Sequence, residues 1–316
     1  MSEPSSALHV AVGIVGFRNV GDITTCLEAL GRSTHRDFEV IICENGGEEA
    51  YGALVASAPE RLPGGQPVRV VQAPGNIGFA GGVNRCLAET PAADAWWVLN
   101  PDTLPHPEAL AAMVDRLSKG DCDAVGCTLY LPHERVQSHG GRWRPWLARA
   151  ESIGNGDPLA TPADPEAIER RQSYLNGACM LVSRRFVQTA GLMREEYFLY
   201  CEEVEWCIRA CARGLRLGFA AGALVLHEQG TTTGAREDMT RRPRLPVYLN
   251  ERNRILLTRD CFPAKLPFAA VAALGLIVLK YGRQRAFQQM GYAIAGWAAG
   301  LRDERGPPAW LGAAGG

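Results

Sequence analysis

Several features are missing from this 316-residue chain, and each absence narrows its function. Neither charge dominates, since 33 Lys and Arg stand against 34 Asp and Glu, so no bulk field draws the chain to nucleic acid and an anionic ligand must be held by local groups. None of the ten cysteines forms a CxxC pair, which removes zinc ribbons and dithiol redox sites. Cys43, Cys127 and Cys179 lie in apolar runs and read as buried free thiols of a reducing, cytoplasmic compartment. The N-terminal "MSEPSSALHV" has no basic segment followed by an apolar core, so no secretory signal is expected. The longest apolar run, Phe268 to Leu279, falls short of the roughly 20 residues of a membrane-spanning helix. An interfacial or buried helix is expected there instead.

With 47% hydrophobic and 21% charged residues, what remains is a globular chain with a substantial core. "LHVAVGIVGF" reads as a strand, followed by a helix carrying Ile23, Cys26, Leu27 and Leu30 on one face and ending at Gly31. "FEVIIC", "VRVV" and "AWWVLN" repeat the strand, and after Pro107 a helix presents Leu110, Met113, Val114 and Leu117. Short apolar strands alternating with amphipathic helices predict an α/β fold, its central sheet mostly parallel and covered on both faces. Residues 131–171 are irregular apart from a short hairpin. A helix with Val204, Cys207, Ile208 and Cys211 on its buried stripe and a strand ending at His227 follow. The expected organisation is an α/β domain over 1–242 and a C-terminal helical appendage over 243–316.

Ligands of parallel sheets bind beyond the carboxyl ends of the strands, which directs attention to the segments after each one. "PGNIGFAGGVN", before a helix, combines close backbone approach with amides that attract phosphate, although it matches neither GxGxxG nor a P-loop. In "LNPDT", Pro101 holds Asn100 extended, and Asp102 offers a hard oxygen of the kind that binds Mg2+ or Mn2+ together with a substrate's phosphates. The same triplet is ordinary turn chemistry. Glu202 and Glu203 open a helix, where the dipole favours acids; Glu203 also borders the buried stripe, as a general base would. His227 ends a strand beside "EQGTTTG", as a hydrogen bonder or as a ligand to metal or phosphate.

Taken in order, "VGIVGFRN", "ICENGG", "GNIGFAGGVNRC", "LNPDT", "NGACMLVSRR", "YFLYCEEVEWCIRA", "HEQGTTTG" and "YLNERNRILL" resemble the inverting family 2 glycosyltransferases of the GT-A fold, notably the bacterial rhamnosyltransferase-like group. The resemblance spans about Val10 to Leu257. It implies that Phe17, Asn19 and Glu44 line the nucleotide base and ribose, and that Asn76, Gly78, Phe79, Gly82 and Asn84 continue the donor pocket. Asp102, assisted by Asn100, would hold a divalent Mg2+ or Mn2+ on the diphosphate, and His227 would complete those contacts. Glu203 matches the catalytic base. Arg252 and Asn253 match an Arg-Asn pair near the diphosphate or the acceptor. Glu44 and Glu203 stand where members of the family often carry Asp, and the extra methylene, by moving the carboxylate, makes Glu202 a rival base; Asn100 replaces the first acid of an Asp-x-Asp motif, which weakens metal affinity.

The implied donor is a dTDP- or UDP-linked sugar, dTDP-L-rhamnose first. The acceptor would be a glycan, a lipid-linked glycan or a small molecule, as in polysaccharide biosynthesis. Two other functions share parts of the pattern. A sugar-phosphate nucleotidyltransferase would need a basic glycine-rich triphosphate loop, where "GFRNVGD" offers only Arg18. A non-catalytic nucleotide-sugar-binding protein would have no need of acids at both the metal and base positions. The C-terminal helices, with Lys280, Arg283 and Arg285 among apolar faces, would pack on the catalytic domain or on another subunit, as in a homodimer. They would otherwise make peripheral contact with the inner face of a membrane.

Overall fold

The computed structural model describes residues 8–228 and 238–312. Strands β1 (Val10–Gly16), β2 (Phe38–Glu44), β3 (Val68–Gln72) and β4 (Ala95–Leu99) are joined by helices α1 (Val20–Leu30), α2 (Glu48–Ser57) and α3 (Gly78–Glu89). They lie side by side in the order β3-β2-β1-β4, all parallel. Then come β5 (Thr103–Pro105), α4 (Ala109–Ser118), β6 (Ala124–Leu131), β7 (Arg135–Ser138) and a separate hairpin of β8 (Gly141–Arg144) and β9 (Arg149–Ser152). Next are α5 (Pro165–Arg171), β10 (Cys179–Ser183), α6 (Arg184–Ala190), α7 (Glu202–Ala212) and β11 (Leu217–His227). The chain closes with α8 (Arg244–Cys261), α9 (Leu266–Arg283), α10 (Phe287–Leu301) and α11 (Ala309–Gly312).

The second half of the sheet, β4-β10-β6-β11-β5, is mixed: β10 runs antiparallel to both β4 and β6, while β11 is parallel to β6. Residue pattern does not distinguish these directions, because a strand buried on both faces is continuously apolar whichever way it runs. Alternate residues of β1 serve opposite faces. Val10, Val12 and Ile14 pack with α1, α2 and α4, whereas Ala11 joins a second layer with α3, α6 and α7. Ile255, Leu256 and Leu257 of α8 belong to that second layer, so the C-terminal helices share the main core. The ten cysteines are free; eight are buried, but Cys211 is exposed, on the outer edge of the stripe expected to bury it.

Helix α9 belongs to a helical stretch, Pro263–Arg283, that is 21 residues long, with mean hydropathy 1.6, and only 28% of its apolar window is buried. By length and composition alone it could cross a membrane, because the helix continues past both ends of the apolar run.

Candidate active site

Sheet register brings the site together. Gly16 pairs with Glu44, Ile14 with Leu99, and Leu99 with Cys179, so the segments after β1, β2 and β4 and the turn before β10 share one edge of the sheet. Antiparallel β5 pairs Thr103 with His227, and the Glu228 amide donates to the Asp102 carbonyl at 2.9 Å. Two residues distant in sequence thereby become neighbours: His227 Nε2 lies 3.3 Å from Asp102 Oδ1, both side chains largely buried.

His227 Nδ1 is 2.8 Å from Gln137 Oε1, which fixes the ring so that Nε2 faces Asp102. A carboxylate oxygen and an imidazole nitrogen oriented by a third group fit a divalent cation. Among the described residues no third His, Cys, Asp or Glu joins them. That matches Mg2+ or Mn2+, which take one or two protein carboxylates and leave the remaining positions to phosphate and water. Gln137 lies in the region that the sequence pattern leaves irregular; no residue signal marked it. The "GTTTG" segment after His227 lies outside the described residues.

A three-residue turn links this pair to the acids. The Asn100 amide donates to the Ala178 carbonyl at 2.9 Å, and the Asn176 side chain accepts from the Ala178 amide. Between them, Gly177 sits against Glu203: a Cβ there would meet Glu203 Cγ at 3.1 Å. Glu203, half-buried, therefore lies one turn away from the Asn100–Asp102 segment. Glu202 is 2% exposed, and its Oε2 has no hydrogen-bond partner.

Burial raises the Glu203 carboxyl to about 7, against the pull of the first helical amides of α7. Burial, and then the neighbouring Glu203 charge, raise Glu202 to about 8. Both values lie above the ordinary 4.5, so from about pH 4.5 to 8 the fold holds protons that the unfolded chain releases. Stability from this pair is full below that window and is lost as pH rises through it. Neutral, isosteric Glu202→Gln is accordingly expected to raise the melting temperature at pH 8.5 by roughly 3 °C or more, and by less at pH 5. Thermal denaturation at both pH values checks this; a lower melting temperature at pH 8.5 would contradict it.

The loop entering α7 is strained. Phe198, Tyr200 and Cys201 all have positive φ, at 67°, 74° and 70°, a conformation costing on the order of 1–2 kcal/mol each for non-glycine residues. It is clamped from two sides. The Phe79 amide donates to the Phe198 carbonyl at 2.7 Å, and Gly78, with φ of 75°, lies so close that a Cβ would stand 2.2 Å from that oxygen. From α8, the Asn253 amide group donates at 2.8 Å to the carbonyls of Tyr197, Leu199 and Tyr200, and Arg252 Nη2 donates to Tyr197 at 3.1 Å.

This corrects several expected roles. Arg252, 1% exposed, spends its other donors on Asn253 and the Gly306 carbonyl and is not presented to a diphosphate. Asn84 is buried and bonds Met193 and Glu195 with both ends of its amide. At Gly82 a Cβ would fall 2.5 Å from Val15, so this glycine seats α3 on the sheet. The motif predicts ligand contacts for its polar and glycine residues, whereas the partners of these three are carbonyls and side chains that sequence does not bring together.

Phe17, half-buried under the Arg18 guanidinium, and Asn19, whose Oδ1 accepts from the Phe17 amide, follow directly on the end of β1. Glu44, fully buried, accepts from the Arg18 and Gly46 amides through Oε1, while Oε2 is without a partner. Asn76 is exposed and caps the Gly78 amide.

Asn253→Asp keeps the shape but turns three donations into repulsions. We expect kcat to fall at least about ten-fold, with nucleotide affinity changed less than about two-fold. Parallel kinetics and nucleotide titration would show this split; equal losses in both would mean that the residue serves only overall stability.

Comparison with known proteins places the sequence and the fold. The family model described as Glycosyltransferase like family 2 matches residues 8–254. Over 229 residues the chain is 28% identical to an N-acetylglucosaminyl-diphospho-decaprenol L-rhamnosyltransferase of Mycobacterium tuberculosis, covering 66% of this chain and 72% of that protein. Its fold is similar to that of the mannosyltransferase PcManGT from Pyrobaculum calidifontis, solved with GDP-Man and Mn2+, at a TM-score of 0.60 and 15% identity over 96% of this chain and 89% of that one. GalNAc-T7, solved with UDP, GalNAc and Mn2+, superposes at a TM-score of 0.62 and 13% identity, covering 81% of this chain and 48% of that one. The sheet-edge acids, the fold and the family match lead to one conclusion: this chain belongs to the family 2 glycosyltransferases of the GT-A fold and is a glycosyltransferase.

Proposed function

We propose that the protein transfers a hexose, with dTDP-L-rhamnose the foremost donor and UDP-hexoses behind it, to a hydroxyl of a lipid-linked glycan, inverting the anomeric centre. The observation that carries the reading is the connection of the Asp102–His227 pair to Glu203 through the turn at Asn176, Gly177 and Ala178. The donor choice is supported by the mycobacterial relative, whose name specifies L-rhamnose and a diphospho-decaprenol acceptor.

In this reading the nucleotide lies over the ends of β1 and β2, with its base against Phe17. Asp102 and His227 Nε2 would hold a Mg2+ or Mn2+ ion, which offsets the charge of a departing diphosphate. Glu203 accepts the proton of the acceptor hydroxyl as its oxygen bonds to the anomeric carbon. The bond from that carbon to the diphosphate breaks, and the nucleoside diphosphate leaves with the electron pair. A base whose pKa lies near neutrality suits proton transfer at cellular pH, and the half-buried Glu203 is better exposed for it than Glu202.

The test is a donor panel with and without Mn2+, scored by nucleoside diphosphate release. Release from dTDP-L-rhamnose above the other donors supports the reading. Preference for a different sugar would overturn the donor, and release from none would overturn the function.

A further inference from the structure

The exposed face of α9 belongs to no part of the site described above. Phe268 and Val271 are 72% and 74% exposed, and Val278 and Leu279 continue the outward stripe for two more turns. The opposite stripe, with Ala269, Ala273, Ile277 and Tyr281, is buried against the protein. At the tip of the β8–β9 hairpin, Trp146 is 53% exposed and meets Phe268 edge to face, with ring centroids 5.8 Å apart. Hairpin and helix thus form one apolar ridge.

Cations flank it. A groove of about 950 Å3 under the hairpin is lined by Arg142, Arg144, Arg149 and Lys265, the last lying over the Trp146 ring. A second, of about 230 Å3, shares Arg149 and adds Arg254, Lys280 and Arg283. Arg144 pairs with Glu151 and Arg254 with Glu251. Arg142, Arg149, Lys280 and Arg283 have no ion-pair partner among the described residues.

From this juxtaposition we infer that the β8–β9 hairpin and the outer face of α9 dock on the surface of an anionic phospholipid bilayer, with the ridge in the interface and the flanking cations on lipid phosphates. Apolar side chains, an exposed Trp and unpaired Arg and Lys on one face are the composition of an interfacial element. A second copy of the chain fits less well, since a two-fold interface through this face would set like charges against each other. Phosphate alone would not account for the outward Phe and Val.

Docking at this face would bring the protein to the surface that carries a lipid-linked acceptor. That consequence rests on the acceptor proposed above, whereas the docking itself does not.

Flotation of the full chain with vesicles tests it. Vesicles containing about 30 mol% phosphatidylglycerol should retain the protein at least about ten-fold better than pure phosphatidylcholine, and raising salt from about 0.1 to about 0.5 M should weaken retention. Phe268→Asp/Val271→Asp, both at solvent-exposed positions, should reduce retention about ten-fold or more with melting temperature and dTDP affinity unchanged. Three results would overturn the docking: no preference for anionic vesicles, a double variant that floats as the unaltered chain does, or a dimer in vesicle-free buffer that the double variant dissociates. Donor hydrolysis without vesicles reports on the catalytic reading separately, so the failure of one is distinguishable from the failure of the other.

Discussion

Glu203→Gln is expected to lower kcat about 1,000-fold while leaving nucleotide affinity within about two-fold, the pattern of a lost general base. The substitution preserves volume, so the packing against Gly177 persists, and only the proton acceptor is lost. The unaltered enzyme should lose activity as pH falls below about 7, where Glu203 becomes protonated and cannot accept, and the residual activity of the variant should lack that limb. Glu202→Gln should retain most turnover, because Glu202 is enclosed and the hydroxyl must reach Glu203. Rate and affinity profiles of the two variants against pH make the check. Loss of nucleotide affinity in Glu203→Gln equal to its loss of turnover would assign the residue to donor binding or to the fold.

The second large effect is expected at Asp102. Asp102→Ala removes the carboxylate that faces His227 Nε2, and the expected result is turnover reduced by at least about 100-fold together with loss of the Mn2+-dependent part of nucleotide affinity. Gln137→Ala should act in the same direction but less, about ten-fold in apparent Mn2+ affinity, since Gln137 only orients the ring. Nucleotide titrations with and without Mn2+ distinguish these outcomes. Unchanged metal dependence in Asp102→Ala would place the cation elsewhere.

How much of this was legible in the sequence depended on the range of the interaction. Strands β1, β2 and β4, their helices and the residues after them could be read because hydrophobic period and turn chemistry are local. The candidate status of Asp102, His227 and Glu203 was likewise legible from the order of motifs. Their convergence was not: it depends on β5 pairing with β11 and on antiparallel β10 presenting Gly177, and no local pattern encodes either pairing. That Arg252 and Asn84 bond within the protein rather than facing a ligand was not legible for a related reason, since a polar side chain in a motif gives no sign whether its partner is a ligand or a distant carbonyl. The apolar run of α9 was read by its length, whereas its meaning lies in which face packs and which faces outward, a matter settled by α8 and α10.

The most direct test is a crystal structure with dTDP and Mn2+, locating the ion by its anomalous scattering. The expected result is one Mn2+ peak within coordination distance of an Asp102 oxygen, His227 Nε2 and the diphosphate, with the Glu203 carboxylate opening onto the same cleft. A Mn2+ peak remote from Asp102, or a Glu203 side chain that opens onto a different cavity, would contradict it.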